Sequence, residues 1–210
     1  MEYKQLKDIA DIQTGLVLSR KGAKQLELIP QEVSEQISLL KPIEYKVISL
    51  RSIDSFGNIN LSEVDDFQSI EDLPEKYLTQ ENDIVLRLFT PVYSCIIKKE
   101  QLNMVIPSQC AVIRVNRNYI LPDFIQLYLM KGDIEQQLAN KEVSTQLRSV
   151  RTSSIGEIQI PVFPMEKQEK IIATSKLLLK KEQLLNLLSE QQSLYNKAII
   201  KSLIQNKMEI

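Results

Sequence analysis

The stretch Ile158-Gln159-Ile160-Pro161-Val162-Phe163-Pro164-Met165 decides how this chain is read. Before it the pattern is short and β-like; after it the pattern is helical almost to the C-terminus. Two prolines close the strand-like segment. Pro164 suits a first helical turn, where its missing N–H would lack a partner anyway. Roughly forty residues without Gly or Pro follow, rich in the helix formers Leu, Lys, Glu and Gln. At about 1.5 Å rise per residue, such a helix is on the order of 60 Å long, more than a domain built from the preceding residues should span. Two domains are therefore expected, 1–164 and the helix 165–210.

The helix is amphipathic without being a clean zipper. Leu177, Leu184, Gln191 and Ala198 share one heptad position. Leu187 and Leu194 share another with Lys180 and Lys201, and Leu188 and Tyr195 a third with Lys181. Leu178, Leu185 and Ile199 widen the stripe beyond a narrow seam. The span from Leu184 to Tyr195 is the driest. Such a face in water calls for a partner helix, with Leu177, Leu184, Leu188 and Tyr195 as the dimerisation residues.

Composition excludes much chemistry. The 210 residues are 43% hydrophobic and 25% charged, as expected of a folded protein. No apolar run reaches the roughly 18 residues that span a bilayer, and the N-terminus shows no signal-peptide core. With no histidine, His triads, His metal sites and imidazole bases are impossible. Cys95 and Cys110 lie in apolar strand-like runs, reading as reduced core residues of a cytoplasmic protein, and two distant cysteines cannot make a zinc site alone. No Gly-rich phosphate loop occurs, and nothing matches the cofactor loop or catalytic tetrapeptide of amino-methyltransferases. A nuclease pattern begun at Pro122-Asp123 finds no acid-x-Lys downstream. The chain reads as a binder, not a catalyst, with no catalytic, metal or cofactor site of its own.

The net charge of −1 hides a division: from Met165 onward 8 Lys face 5 acids, leaving 18 basic against 22 acidic residues upstream. DNA binding needs a local basic surface, so the total decides nothing. Leu6, Ile9, Ala10 and Ile12 are spaced for a short helix ended by Gly15. Residues 16–41 are polar and irregular, with a basic patch at Arg20, Lys21 and Lys24: a solvated loop, or one that contacts phosphates. From Tyr45 the period becomes two. Tyr45–Leu50 and Ile59–Leu61 read as strands about a turn at 54–58, followed by a polar, acidic run to 76. Residues 83–88, 93–98, 104–106 and 110–115 supply further strands. Together they suggest a curled or barrel-like sheet and not βαβ units. A helix opens at Leu121-Pro122-Asp123, and Ile155–Ile160 is the last strand. The fold class is thus α+β: a β-rich curled sheet with small helices, then one long C-terminal helix that pairs as a coiled coil.

Residues 143–154 carry two arginines and no acid among hydroxyl and amide side chains. They read either as a polar connector or as a surface for phosphates and base edges. The DNA-contact candidates are Ser144, Thr145, Gln146, Arg148 and Arg151 here, Arg20, Lys21 and Lys24 in the N-terminal patch, and Lys98 and Lys99 at a strand end. Arg can read guanine with two hydrogen bonds, whereas Lys more often meets phosphate. Arg51, Arg87 and Arg114 lie inside strand patterns, where structural ion pairs are at least as good a reading.

Several segments, in order, resemble the type I restriction–modification specificity subunit, HsdS. They are Leu6-Lys7-Asp8-Ile9-Ala10-Asp11-Ile12-Gln13-Thr14-Gly15; Val47–Ile53 with Gly57–Asn60; Tyr77–Val85, with Asn82 in the usual Gly place; Pro107–Arg114; and Leu121–Phe124. The run Ile158–Ile171 is similar to the family's "Ile-Pro-x-Pro-x-x-Glu-Gln-x-x-Ile" lead into its spacer helix, with one extra residue between the prolines and Lys167 in the Glu position. The resemblance implies a non-catalytic reader of half of a bipartite DNA site, its long helix setting the distance to a second reader. The chain has room for one such unit and shows no internal repeat. That implies a half-subunit pairing through its helix as a homodimer, or else a truncated or recombining piece of a larger subunit. The partners implied are double-stranded DNA, a methyltransferase subunit and, through it, a restriction subunit; S-adenosylmethionine, ATP and Mg would belong to those partners. A non-catalytic protein-interaction module with a helical docking arm is the alternative.

Overall fold

A computed structural model describes residues 2–20, 42–116, 118–131, 134, 137 and 150–206. Eight strands are present among them. They are β1 (Glu2–Gln5), β2 (Ala10–Thr14), β3 (Ile43–Val47), β4 (Asp65–Ser69), β5 (Ile84–Arg87), β6 (Ser94–Ile96), β7 (Cys110–Val115) and β8 (Gln159–Val162). The α-helices are α1 (Leu6–Ile9), α2 (Pro122–Lys131), α3 (Thr152–Gly156) and α4 (Met165–Asn206). The chain divides into two compact units, Met1–Glu169 and Lys170–Ile210.

The first unit is organised by a four-stranded antiparallel sheet in the order β2-β7-β5-β6. Apart from Arg87 and Arg114, its two inner strands are apolar rather than alternating, because both of their faces are covered. Ile84, Val85 and Leu86 of β5 and Cys110 to Ile113 of β7 are buried. One core cluster gathers Ile48, Ile53, Val85, Ile97, Ile106 and Val112; a smaller one gathers Leu16, Val47, Leu73 and Val105. Each such side chain contributes about 1.5–3 kcal/mol by leaving water. Two further pairs, β1 with β8 and β3 with β4, complete an α+β fold of antiparallel sheets followed by a long helix.

Four sequence expectations are corrected. The helix over Leu6–Ile12 ends at Ile9, and Ala10–Thr14 instead form β2, with Ile12 opposite Ile113. The backbone groups on the free side of β7 need a ladder partner, and that requirement outweighs the local helical spacing. Gly15 is no helix cap; a Cβ there would lie 2.3 Å from the carbonyl oxygens of Ile106 and Pro107, so the side-chain-free position lets two backbones meet. The strand begun near Tyr45 pairs with β4, not with Ile59–Leu61. Asp54 does close a turn, its Oδ1 accepting from the Phe56 and Asn58 N–H groups at 2.8 Å, with Gly57 at φ +80°. That turn supports a single bridge, Ile53 to Ile59. The run read as an acidic connector holds β4, whose pattern is cross-strand: Phe67 opposes Tyr45, and Asp66 opposes Lys46, with Nζ to Oδ1 2.5 Å. Finally, Ile155 and Gly156 belong to α3, and Pro161 lies within β8 opposite Tyr3. A two-stranded pair has an outer side on which a missing N–H costs no ladder bond.

Met104–Ile106 joins its neighbours by bridges: Val105 faces Val47 on one side and Leu78 on the other. At the far end of the unit, Gln168 in the first turn of α4 is fully buried. Its Oε1 accepts from the Leu121 N–H at 2.9 Å, and its Nε2 donates to the carbonyls of Tyr119 at 2.9 Å and Phe163 at 2.7 Å.

Candidate nucleic-acid interface

The registers of the four-stranded sheet define two ends. One carries Thr14, Arg87, Ser94 and Cys110; the other carries Ala10, Ile84, Ile96 and Val115. Backbone hydrogen bonds gather three segments at the first end. The Gly15 N–H donates to the Cys110 carbonyl at 2.9 Å, and the Ser108 N–H to the Leu16 carbonyl at 2.8 Å. The Leu88 N–H donates to the Gln109 carbonyl at 2.9 Å, and the Val150 N–H to the Leu88 carbonyl at 2.7 Å. The segment leading to Arg20, the β5–β6 loop and the residues that introduce α3 are thereby brought together.

This grouping sorts the residues expected to meet DNA. Arg20 closes a short 3-10 turn, Leu18–Arg20, following Leu16 at the first end. Arg151 is exposed and directly follows Val150. Lys98 and Lys99 are exposed but follow β6 at the opposite end, where the Lys98 N–H donates to Gln101 Oε1 at 2.9 Å. Those two lysines and Arg151 therefore do not share one end of the sheet. Lys21, Lys24, Ser144, Thr145, Gln146 and Arg148 lie outside the described residues.

The three strand arginines divide by partner. Arg114 forms a two-pronged pair with the buried Asp83: Nε to Oδ1 is 3.1 Å and Nη2 to Oδ2 is 3.2 Å. Its Nη2 also donates to the Leu78 carbonyl at 3.0 Å. Arg51 meets Glu63 at 3.4 Å and Asp65 at 2.7 Å in the open. Both are structural pairs. Arg87 differs: among the described residues it has no carboxylate within ion-pair range. Its guanidinium lies 5.1 Å from the centre of the Tyr93 ring, and its Nε is buried without a hydrogen-bond partner among the described residues. The sequence reading grouped Arg87 with Arg51 and Arg114, for which ion pairs were at least as good a reading, and gave no role to the loop 89–92. The signal available was Tyr93, close enough in sequence to return across a hairpin loop.

Cys95 and Cys110 are free thiols in the core. Burial pushes Cys110 up to about 12, partly offset by the charge of Arg87; burial pushes Cys95 higher still. Among the described residues no three His, Cys, Asp or Glu side chains converge on a possible metal position, and no helix is long and apolar enough to cross a membrane.

The second unit, described by itself, is helix with an open apolar face. Leu177 is 73% exposed, Leu184 53%, Leu188 60% and Tyr195 63%. Leu178, Leu185, Leu187, Leu194, Ile200 and Leu203 are also more than half exposed.

No family model matches the sequence, and no curated protein matches it either. Solved structures do. The crystal structure of the HsdS subunit from Thermoanaerobacter tengcongensis matches with a TM-score of 0.63 at 17% identity, over 89% of this chain and 44% of that one. A structure bearing on complex assembly and conformational transition of the type I R-M system matches with a TM-score of 0.66 at 16% identity, over 91% of this chain and 45% of that one. This chain spans less than half the length of each. What it shares with them over about nine-tenths of its residues is the fold, a β-rich unit followed by a long helix, and that fold is the one found in the HsdS subunit of type I restriction–modification systems.

Proposed function

We propose that this chain is a non-catalytic DNA-sequence reader of a type I restriction–modification system. Its β-rich unit reads one half of a bipartite site, and its helix pairs with that of a second copy. The observation that carries the reading is the coincidence of an HsdS-like fold over 89% of the chain with a helix whose apolar face is open to solvent. A helix that leaves leucines in water along most of its length lowers its free energy by packing on another helix. Two copies related by a two-fold axis would present two identical readers, and so would select a symmetric bipartite site. Direction of a methyltransferase subunit, and through it a restriction subunit, follows from the same reading. S-adenosylmethionine, ATP and Mg belong to those partners, and the work is cytoplasmic.

Two measurements test the proposal. Sedimentation of the full chain at micromolar concentration is expected to give a dimer; a folded monomer removes the paired-helix reading. Selection from a pool of randomised duplexes is expected to enrich a split, symmetric site, with retention falling steeply as salt rises. Retention without sequence preference removes the reader.

A further inference from the structure

We infer that Arg87 is a base-reading residue, held for that purpose by Tyr93; the inference rests on the DNA-reading proposal above. Arg87 ends β5, and its N–H donates to the Tyr93 carbonyl at 2.9 Å, closing the loop between β5 and β6. The same loop turns the Tyr93 ring toward the guanidinium, at 5.1 Å. Stacking on an aromatic face holds the planar fork in one orientation without consuming its N–H donors. Arg51 and Arg114 spend theirs on carboxylates, and Arg114 on a carbonyl as well. Arg87 makes no such carboxylate pair among the described residues; its Nε is buried without a hydrogen-bond partner there, so the terminal Nη groups are the ones a base would meet.

Position supports the same role. Arg87 stands at the sheet end where Val150 is fastened to Leu88 and where Gln109 and the exposed Phe89 also lie. An arginine, an amide and an aromatic side chain therefore share this end of the sheet. These are the groups that distinguish guanine, adenine and the thymine methyl in a major groove. A phosphate contact is a weaker account, because phosphate is met as well by a mobile lysine and needs no stacked, orientated plane.

The test uses the full chain with a pool of duplexes carrying a randomised centre, comparing wild type with Arg87→Lys and Arg87→Ala, each checked by thermal unfolding. Arg87→Lys keeps the charge and loses the fork. Both variants are expected to enrich the wild-type site with one G·C position relaxed by about tenfold to a hundredfold, the other positions holding their preference. Unchanged preference at every position in Arg87→Lys overturns the inference, as does a uniform loss of affinity at unaltered preference, which marks a phosphate contact. A lowered melting temperature with the wild-type preference intact overturns it too, assigning Arg87 to the core. Should wild type itself enrich no sequence, the DNA-reading proposal fails first and takes this one with it.

Discussion

Asp83 and Arg114 are opposite charges largely withdrawn from water, their side chains 4% and 23% exposed. The carboxylate is further satisfied by the Gln80 N–H at 2.9 Å. Removing one partner leaves the other buried and unpaired, so Arg114→Ala is expected to cost about 3–5 kcal/mol in denaturant unfolding. A cost below about 1 kcal/mol would show that solvent reaches Asp83 once the guanidinium is gone. The thiols give a prediction in pH. Burial raises Cys110 from the ordinary 9.0 to about 12, so the unfolded chain loses that proton first as pH rises. The contribution is complete below about pH 9 and is lost between there and about pH 12, at roughly 1.4 kcal/mol per pH unit. Cys110→Ala is therefore expected to flatten the alkaline fall in stability by about that slope, read from urea midpoints at stepped pH. An unchanged slope would mean that other groups carry the whole effect.

Among the elements, the start of α4 is the most tightly specified. Gln168→Ala would leave the Leu121 N–H and the carbonyls of Tyr119 and Phe163 short of a partner, at an expected cost of roughly 2–4 kcal/mol. Unfolding followed by tyrosine absorbance reads this directly, and near-wild-type stability would mean that water replaces the amide. The long helix and the inner strands were legible in the sequence because each advertises itself locally: an unbroken Gly- and Pro-free run in one case, continuous apolar runs in the other. β4 was not legible, since Asp65-Asp66-Phe67-Gln68-Ser69 gains its meaning from Lys46 and Tyr45 across the ladder. β2 was misread for a related reason. Ala10 to Thr14 keep helical spacing, and only the demand of β7 for a partner makes them extended. Of the residues proposed for DNA contact, Arg151 was picked out by its acid-free surroundings, and it lies exposed next to Val150 at the Leu88 end of the sheet. Arg87 was not picked out, because a strand arginine with a carboxylate partner and one without such a partner among the described residues look alike until their neighbours are known.

At the scale of the whole molecule, the exposed face of α4 sets the expectation. Leu188 lies in its driest stretch, so Leu188→Glu is expected to halve the sedimenting mass while the circular dichroism of the β-rich unit stays native. A variant that remains dimeric places the seam elsewhere on the chain. The pairing of β1 with β8 has a different consequence. Glu2 lies opposite Val162, so the chain enters and leaves the first unit on adjacent strands, about 5 Å apart. A unit with its way in beside its way out is a cassette. It can be duplicated in tandem, exchanged for another of the same fold, or circularly permuted through a linker of a few residues, without any interior strand changing neighbours. On the proposed DNA-reading function, recombination at these two seams is expected to change what is read and leave the long helix unaltered.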